Sequence, residues 1–511
     1  MSLGIIRDLI SAVFGNGGAW RHDLAKEGLV EGVVEPVQPV PPTVPAAPQQ
    51  RPLVMIHGYS STGQAFYDWR GRLVARGIRD IRNIFIGTYR TLTNELTIKD
   101  IGEGFGQALC IQAGLGEDEP FDAIVHSTGM LVVRCWLTTD PERRIPRLKH
   151  LIGLAPATFG SPLAHKGRSF LGAIFKGNHA IGPDFLAAGD LVLDGLELGS
   201  RLIWDLATKD LFGELAYYGP DADTPYVFVF CGTVGYPFPE NLAVHEPGTD
   251  GTVRWAGVSL NSRKIILDLR TPSPAGGGAV ATPRITIGDW KNVSDIPVTF
   301  AEGLNHGTIM HSPPDPLVTQ VVDALAVTDE GTWSTWCASA RTFSRPPERW
   351  QQFVVRAVDE HGDPVTDYNI QICRRNAQGE LTEDAAFCED VHTYAADNSL
   401  RCFHVKLSAL QDGTALCLHL RASTGSRFVG FRGVTDPPFM PLLDDDSPAG
   451  DLSAALNLTP LIAGDPKLAR EPVAFFYPFT TTLVEIRLSR VPLPFTEGVP
   501  NDVYRFGDWA I

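Results

Sequence analysis

No two cysteines of this chain stand two residues apart, so the spacing used by zinc ribbons and redox-active dithiols is missing and no metal site is expected. Positive charge is scarce as well. Lys and Arg number 43 against 59 Asp and Glu, a formal net charge of -16, which opposes the phosphate neutralisation that nucleic-acid binding requires. The apolar runs are too short to span a bilayer. The N-terminus lacks the basic start, apolar stretch and cleavage site of a secretory signal, so the expectation is a cytoplasmic location or signal-independent secretion. Around Asp444-Asp-Asp446 the ligand spacing of a calcium loop is absent, and the run reads as a solvated acidic loop. No cofactor is expected.

What remains is ordinary globular material, with 44% apolar and 20% charged residues over 511 positions, more than one hydrophobic core usually organises. Five of the eight cysteines fall between Cys337 and Cys417. They read as small buried apolar residues in a reducing compartment, or as one or two disulfides in an oxidising one.

Three regions can be separated. Residues 1–50 hold Leu3, Ile6, Leu9, Ile10, Val13 and Phe14 at helical spacing, then a Pro-rich stretch from Glu35 to Pro52 that reads as an extended linker. The short amphipathic helix either docks on its own protein or lies on a membrane surface; its few basic residues favour the first. Between 51 and 330, apolar runs alternate with helix-like stretches, the pattern of a mostly parallel sheet covered by helices on both faces. The strands are expected at Leu53–His57, Arg82–Gly87, Ala123–His126, Leu148–Leu154, Tyr226–Cys231 and Ile296–Phe300. From 346 to 511, Phe353–Val358, Asn369–Ile372, Cys402–Leu407, Ala415–Leu420 and Thr481–Leu488 read as strands of an all-β sandwich.

The chemistry is concentrated in the middle region. Phe121-Asp-Ala-Ile-Val-His-Ser-Thr-Gly-Met130 sets Ser127 between an apolar strand and a stretch that can start a helix. A serine on such a strand-to-helix turn projects its hydroxyl away from the sheet, and the helix N-terminus offers N–H groups to a developing oxyanion. The G-x-S-x-G pattern is half met, with Val125 in place of the first glycine and Gly129 as the second. Leu53-Val-Met-Ile-His-Gly-Tyr59 runs an apolar strand into His57-Gly58, the place for a first oxyanion donor. The backbone N–H groups of Tyr59 and Thr128 are the expected pair, and His57 is expected to brace its loop.

Together His57-Gly58, Val125-His-Ser-Thr-Gly129 and Leu154-Ala-Pro-Ala-Thr-Phe-Gly-Ser-Pro-Leu-Ala164 resemble the lipases of the α/β-hydrolase fold over roughly residues 51–325. The resemblance implies an order of Ser, acid, His and a helical lid after the Gly-Ser-Pro loop. The lid would fall at about 165–215, where Leu, Ile, Phe and Gly are frequent; a helical cap that never moves is the other reading of that stretch. For the acid the resemblance selects Asp250 in Thr249-Asp-Gly-Thr-Val253, with Glu246 in reserve; on spacing alone Asp-Gly is a plain turn. For the base it selects His306, on the loop after the last strand, ahead of His245 and His311. The implied activity is hydrolysis of carboxylic esters through an acyl-enzyme. The partner would be a lipid or other acyl ester, with peripheral contact to a lipid interface, and the sandwich would assist contact with lipid or partners. A non-lipid ester or amide, and a silent lipid-binding or adhesion scaffold, are the alternatives; Val125 is the feature that favours silence.

Overall fold

The computed structural model describes residues 51–58, 66–86, 95–166, 190–220, 223–237, 246–270, 284–288, 296–343, 348–375, 381–383, 388–409, 416–434, 450–458 and 475–493. The N-terminal helix, most of the Pro-rich stretch and Asp444–Asp446 lie outside them.

The first unit is built from β1 (Leu53–Ile56), α1 (Tyr67–Ala75), β2 (Ile81–Ile84), α2 (Ile98–Ile111), β3 (Phe121–His126), α3 (Gly129–Thr139), β4 (Leu148–Leu154), α4 (Asp190–Leu196), α5 (Arg201–Asp210) and β5 (Tyr226–Gly232). After β6 (Ser262–Asp268) and β7 (Arg284–Ile287) it is completed by β8 (Val298–Ala301), α6 (Asp315–Leu325) and α7 (Glu330–Phe343). Six strands pair in the order β2-β1-β3-β4-β5-β8, all parallel. Helices α2, α3, α4 and α5 pack together, as do α1, α6 and α7. The two groups cover opposite faces of the sheet, so β1, β3 and β5 are buried along their whole length, and β1 and β5 carry near-continuous apolar runs. Helix α2 shows how the sequence makes such a layer. Thr97 and Asp100 form a reciprocal capping box at its start, and Ile98, Ile101, Phe105, Ala108 and Leu109 make its buried stripe.

The chain order reverses between β1 and β3. In an open parallel sheet the crevice beyond the strand ends at such a reversal is where ligands bind. His57-Gly58 leaves β1 there and Ser127 leaves β3 beside it.

The second unit comprises β9 (Trp350–Val358), β10 (Tyr368–Arg375), β11 (Leu381–Glu383), β12 (Cys388–Thr393), β13 (Leu400–Lys406), β14 (Leu416–Ala422), β15 (Val429–Arg432), β16 (Leu452–Asn457), β17 (Thr481–Arg487) and β18 (Ser489–Pro492). Its four-stranded sheet is β11-β10-β14-β16, and a six-stranded sheet runs β12-β13-β9-β17-β6-β7. Phe353, Val355, Val405, Val484 and Ile486 of the larger sheet share a core with Leu418, Leu420, Ala454 and Leu456 of the smaller, which makes the sandwich. The opposite face of β9, β13 and β17, with Trp350, Val354, Cys402 and Leu483, belongs to the core of the first unit. Strands β6 and β7 come from within residues 51–330 and pair in this larger sheet, so a boundary at 330–346 does not separate the two sets of strands.

At the seam Arg254 is wholly buried. Its Nε donates to Glu246 Oε1 and its Nη2 to Asp390 Oδ2 of β12, both at 2.6 Å. His404 stacks on Trp350 with ring centroids 4.5 Å apart, and its Nδ1 lies 3.5 Å from Glu246 Oε1. Burial, and then the nearby Arg254 charge, push His404 down to about 4 from its ordinary 6.5. Burial alone would raise Glu246, but His404 and Arg254 bring it to about 2. Between pH 6.5 and 4 the unfolded chain therefore binds a proton at residue 404 that the folded chain refuses, so stability rises with pH across that window. The slope from this one residue reaches about 1.4 kcal/mol per pH unit. Thermal denaturation across that window is expected to lose part of its pH dependence in His404→Gln; an unchanged slope would contradict the assignment.

Candidate active site

Ser127 has φ 52°, a left-handed backbone that a non-glycine residue adopts only under constraint. The constraint is local. Ser127 N donates to the Leu154 carbonyl at 3.3 Å, while its own carbonyl accepts from Met130 N at 3.2 Å and Ala157 N at 3.0 Å. The turn is thereby pinned between the end of β4 and the first turn of α3. Thr128 is the N-cap of α3, fully buried, and its N–H takes no part in the backbone bonds that hold the turn.

Val125 is bordered by two glycines. Its register partner on β4 is Gly153, and a Cβ placed on Gly129 would come 3.4 Å from Val125 Cβ. Gly58 closes in from β1, where an added Cβ would stand 2.7 Å from Ser127 Cβ. His57, as expected, braces its loop: Nδ1 lies 2.9 Å from the Gly58 carbonyl and Nε2 accepts from Ile86 N at 3.0 Å.

Asp250 is completely buried on the loop after β5. Its Oδ1 accepts from Thr252 N at 2.9 Å and Val253 N at 2.8 Å, and its Oδ2 lies 2.9 Å from His306 Nδ1. With both lone-pair directions of Oδ1 used by the backbone, the carboxylate cannot rotate away from the imidazole. Because a carboxylate only accepts, the proton of His306 is assigned to Nδ1, which leaves Nε2 as a base. The main chain reinforces the pair, since His306 N donates to the Asp250 carbonyl at 3.0 Å. Asn305 shapes the base's loop by accepting from Gly307 N and Thr308 N at 3.0 and 2.8 Å. The Gly-Ser-Pro loop is joined to the acid loop through Ser161 Oγ, which donates to the Thr252 carbonyl.

The structure brings His306 and Asp250 into direct contact and sets the His306 ring against His126, the neighbour of Ser127, with centroids 4.6 Å apart. The Ser127 hydroxyl has no hydrogen bond among the described residues; catalytic contacts of this kind commonly tighten as the reacting complex forms. Tyr59 and His245 lie outside the described residues. Glu246, the reserve acid, is engaged by Arg254 instead, and His311 is exposed.

Of the expected lid at 165–215, residues 167–189 lie outside the described residues. The part that follows is fastened down. Leu193, Leu196, Ile203 and Trp204 are buried, Tyr394 OH donates to Asp194 Oδ2 at 2.9 Å, and Glu197 Oε1 lies 2.8 Å from His392 Nε2. Helices α4 and α5 are thus tied to the second unit.

Sequence reading missed Cys231, whose thiol points at Asp250 Oδ2 from 3.8 Å and is held protonated by burial and that carboxylate. It also missed Asn305 and His126. Asn305-His-Gly-Thr308 carries a legible capping signal; a cysteine inside an apolar strand carries none.

No family model matches the chain, and no curated protein is similar to it in sequence. Solved structures do match. Phospholipase PlaB from Legionella pneumophila superimposes with a TM-score of 0.66 at 20% identity, covering 86% of this chain and 93% of that one. The same phospholipase in complex with thio-NAD gives 0.65 at 20% identity, over 86% and 94%. Lipase BlEst2 from Bacillus licheniformis overlaps in part, with a TM-score of 0.35 at 14% identity over 54% of this chain and 94% of that one. The chain therefore has the α/β-hydrolase fold followed by a β-sandwich, an architecture it shares over most of its length with a bacterial phospholipase.

Proposed function

We propose that the protein hydrolyses carboxylic esters through an acyl-enzyme, with Ser127 as nucleophile, His306 as general base and Asp250 as its orienting carboxylate. The observation that carries this reading is the buried Asp250–His306 pair, bonded at 2.9 Å and in contact with His126, the residue that leads into the left-handed turn of Ser127 at the chain reversal of the sheet. In the first half-reaction Ser127 Oγ bonds to the acyl carbon as its proton passes to His306 Nε2. The imidazolium is stabilised by Asp250, and the Thr128 N–H supplies one donor to the oxyanion. Collapse breaks the ester C–O bond, and the alcohol leaves with the proton from His306. Water, deprotonated by the same nitrogen, then attacks the acyl-enzyme, which releases the acid and restores Ser127.

The acyl group is lipid-like in this reading. The fold shared with a phospholipase and the apolar composition of residues 165–215 support a lipid ester over a small soluble one. Hydrolysis of p-nitrophenyl esters from short to long acyl chains, wild type beside Ser127→Ala, tests it. The expected result is activity with a long-chain optimum that Ser127→Ala lowers by about a millionfold. Wild-type inactivity across the series would favour a silent scaffold, and a short-chain optimum a non-lipid ester.

A further inference from the structure

His306 is held by more than its bond to Asp250. Its carbonyl lies 3.0 Å from Nε2 of His126, and the two imidazoles are in tilted contact, with an interplanar angle of 44°. His126 ends β3 and immediately precedes Ser127, so one side chain joins the nucleophile's turn to the loop of the base. A carbonyl only accepts, which assigns the proton of His126 to Nε2 and leaves Nδ1 as a lone pair. That Nδ1 is buried, has no hydrogen-bond partner among the described residues, and stands 3.1 Å from where a Gly58 Cβ would lie.

We infer that His126 is a positioning residue of this site, which sets the approach of His306 to Ser127 by tying the main chain of the base's loop to the end of a central strand. The inference rests on the triad reading above. Strand β3 is paired on both sides, to β1 and β4, and is among the most firmly held backbone in the fold. The start of the loop after β8 is tied to the end of β5, where Thr233 N and Val234 N donate to the Leu304 carbonyl, and residue 306 itself is held at its N–H by the Asp250 carbonyl and at its own carbonyl by His126. Displacement of a general base by about 1 Å from its working position can cost about a hundredfold in rate.

The charge state of His126 suits this task. The groups that face it are His306 on the base's loop, His311 on the short helix behind that loop, and His57 at the end of β1. Burial, with the charge of His306 next, holds its pKa well below the ordinary histidine value. When His306 takes the serine proton, no second imidazolium therefore opposes it across the ring contact.

Two amides separate a donor role from a space-filling one. Gln places its side-chain nitrogen where Nε2 of the imidazole stands, and Asn places it where Nδ1 stands. His126→Gln is expected to keep kcat within about tenfold of wild type, whereas His126→Asn loses about a hundredfold with KM little changed. A role confined to the fold would lower the Tm of both variants alike without separating their rates. Equal kcat in the two variants, whether high or low, would overturn the inference. Wild-type protein that neither cleaves esters nor reacts at Ser127 with a fluorophosphonate would instead overturn the triad reading beneath it.

Discussion

Asp250→Asn is expected to lower kcat on an ester about ten-thousandfold while the protein stays folded. The carbonyl oxygen of the new amide can keep the bonds from Thr252 N and Val253 N, because those two donors select an acceptor. The NH2 group is then turned toward His306 Nδ1, where the wild-type carboxylate oxygen stands at 2.9 Å. An amide donor there forces the imidazole into the tautomer protonated on Nε2, and that nitrogen can no longer take the serine proton. The loss should therefore appear in kcat, be partly relieved at high pH, and leave the thermal midpoint near wild type. A variant within tenfold of wild type would show that Asp250 does not orient the base.

The second large effect is on stability. Arg134, on α3 directly after the nucleophile's turn, is completely buried and forks onto Asp210 with bonds of 2.7 and 2.9 Å. Its third contact is the Thr158 carbonyl, and Tyr218 OH completes the cluster by donating to Asp210 Oδ2 at 2.8 Å. Arg134→Met fills much of the same volume but strands a buried carboxylate, which typically costs about 3–5 kcal/mol. A fall in Tm of about 3–5 °C is the expected reading. Arg134→Met with Asp210→Leu should recover most of it, since a dry apolar pair has no charge to desolvate. If the double variant is no more stable than the single one, the cost lies in packing and not in the orphaned charge.

Much of this architecture is legible in the sequence, for identifiable reasons. The strands of the parallel sheet are buried on both faces, so residues such as Leu53–Ile56 and Tyr226–Gly232 appear as apolar runs bounded by turn residues. Ser127, Asp250 and His306 stand out as candidates because Ser127 follows a strand end and the other two lie on the loops after β5 and β8, in an order that matches a known type. Features that depend on pairing between distant residues are not legible. Ser262 and Thr481 face each other across β6 and β17 although they are 219 positions apart, and nothing local marks 262–287 as part of the second unit's sheet. The seating of Arg254 among Glu246, Asp390 and His404 is hidden for the same reason. His126 falls at a position that the nucleophile motif leaves open, so only the folded contact with His306 reveals it. Val125, the one departure from that motif, stands opposite Gly153 on the neighbouring strand, a relation set by register and not by sequence proximity.

The central claim is that Ser127 is an activated nucleophile. Reaction of the wild-type protein with a fluorophosphonate, followed by mass spectrometry of the modified peptide, tests it most directly. The account predicts a single phosphonyl adduct on Ser127, formed slowly or not at all in Asp250→Asn and absent in Ser127→Ala. An adduct on another serine, or none under conditions that label an ordinary serine esterase, would contradict it.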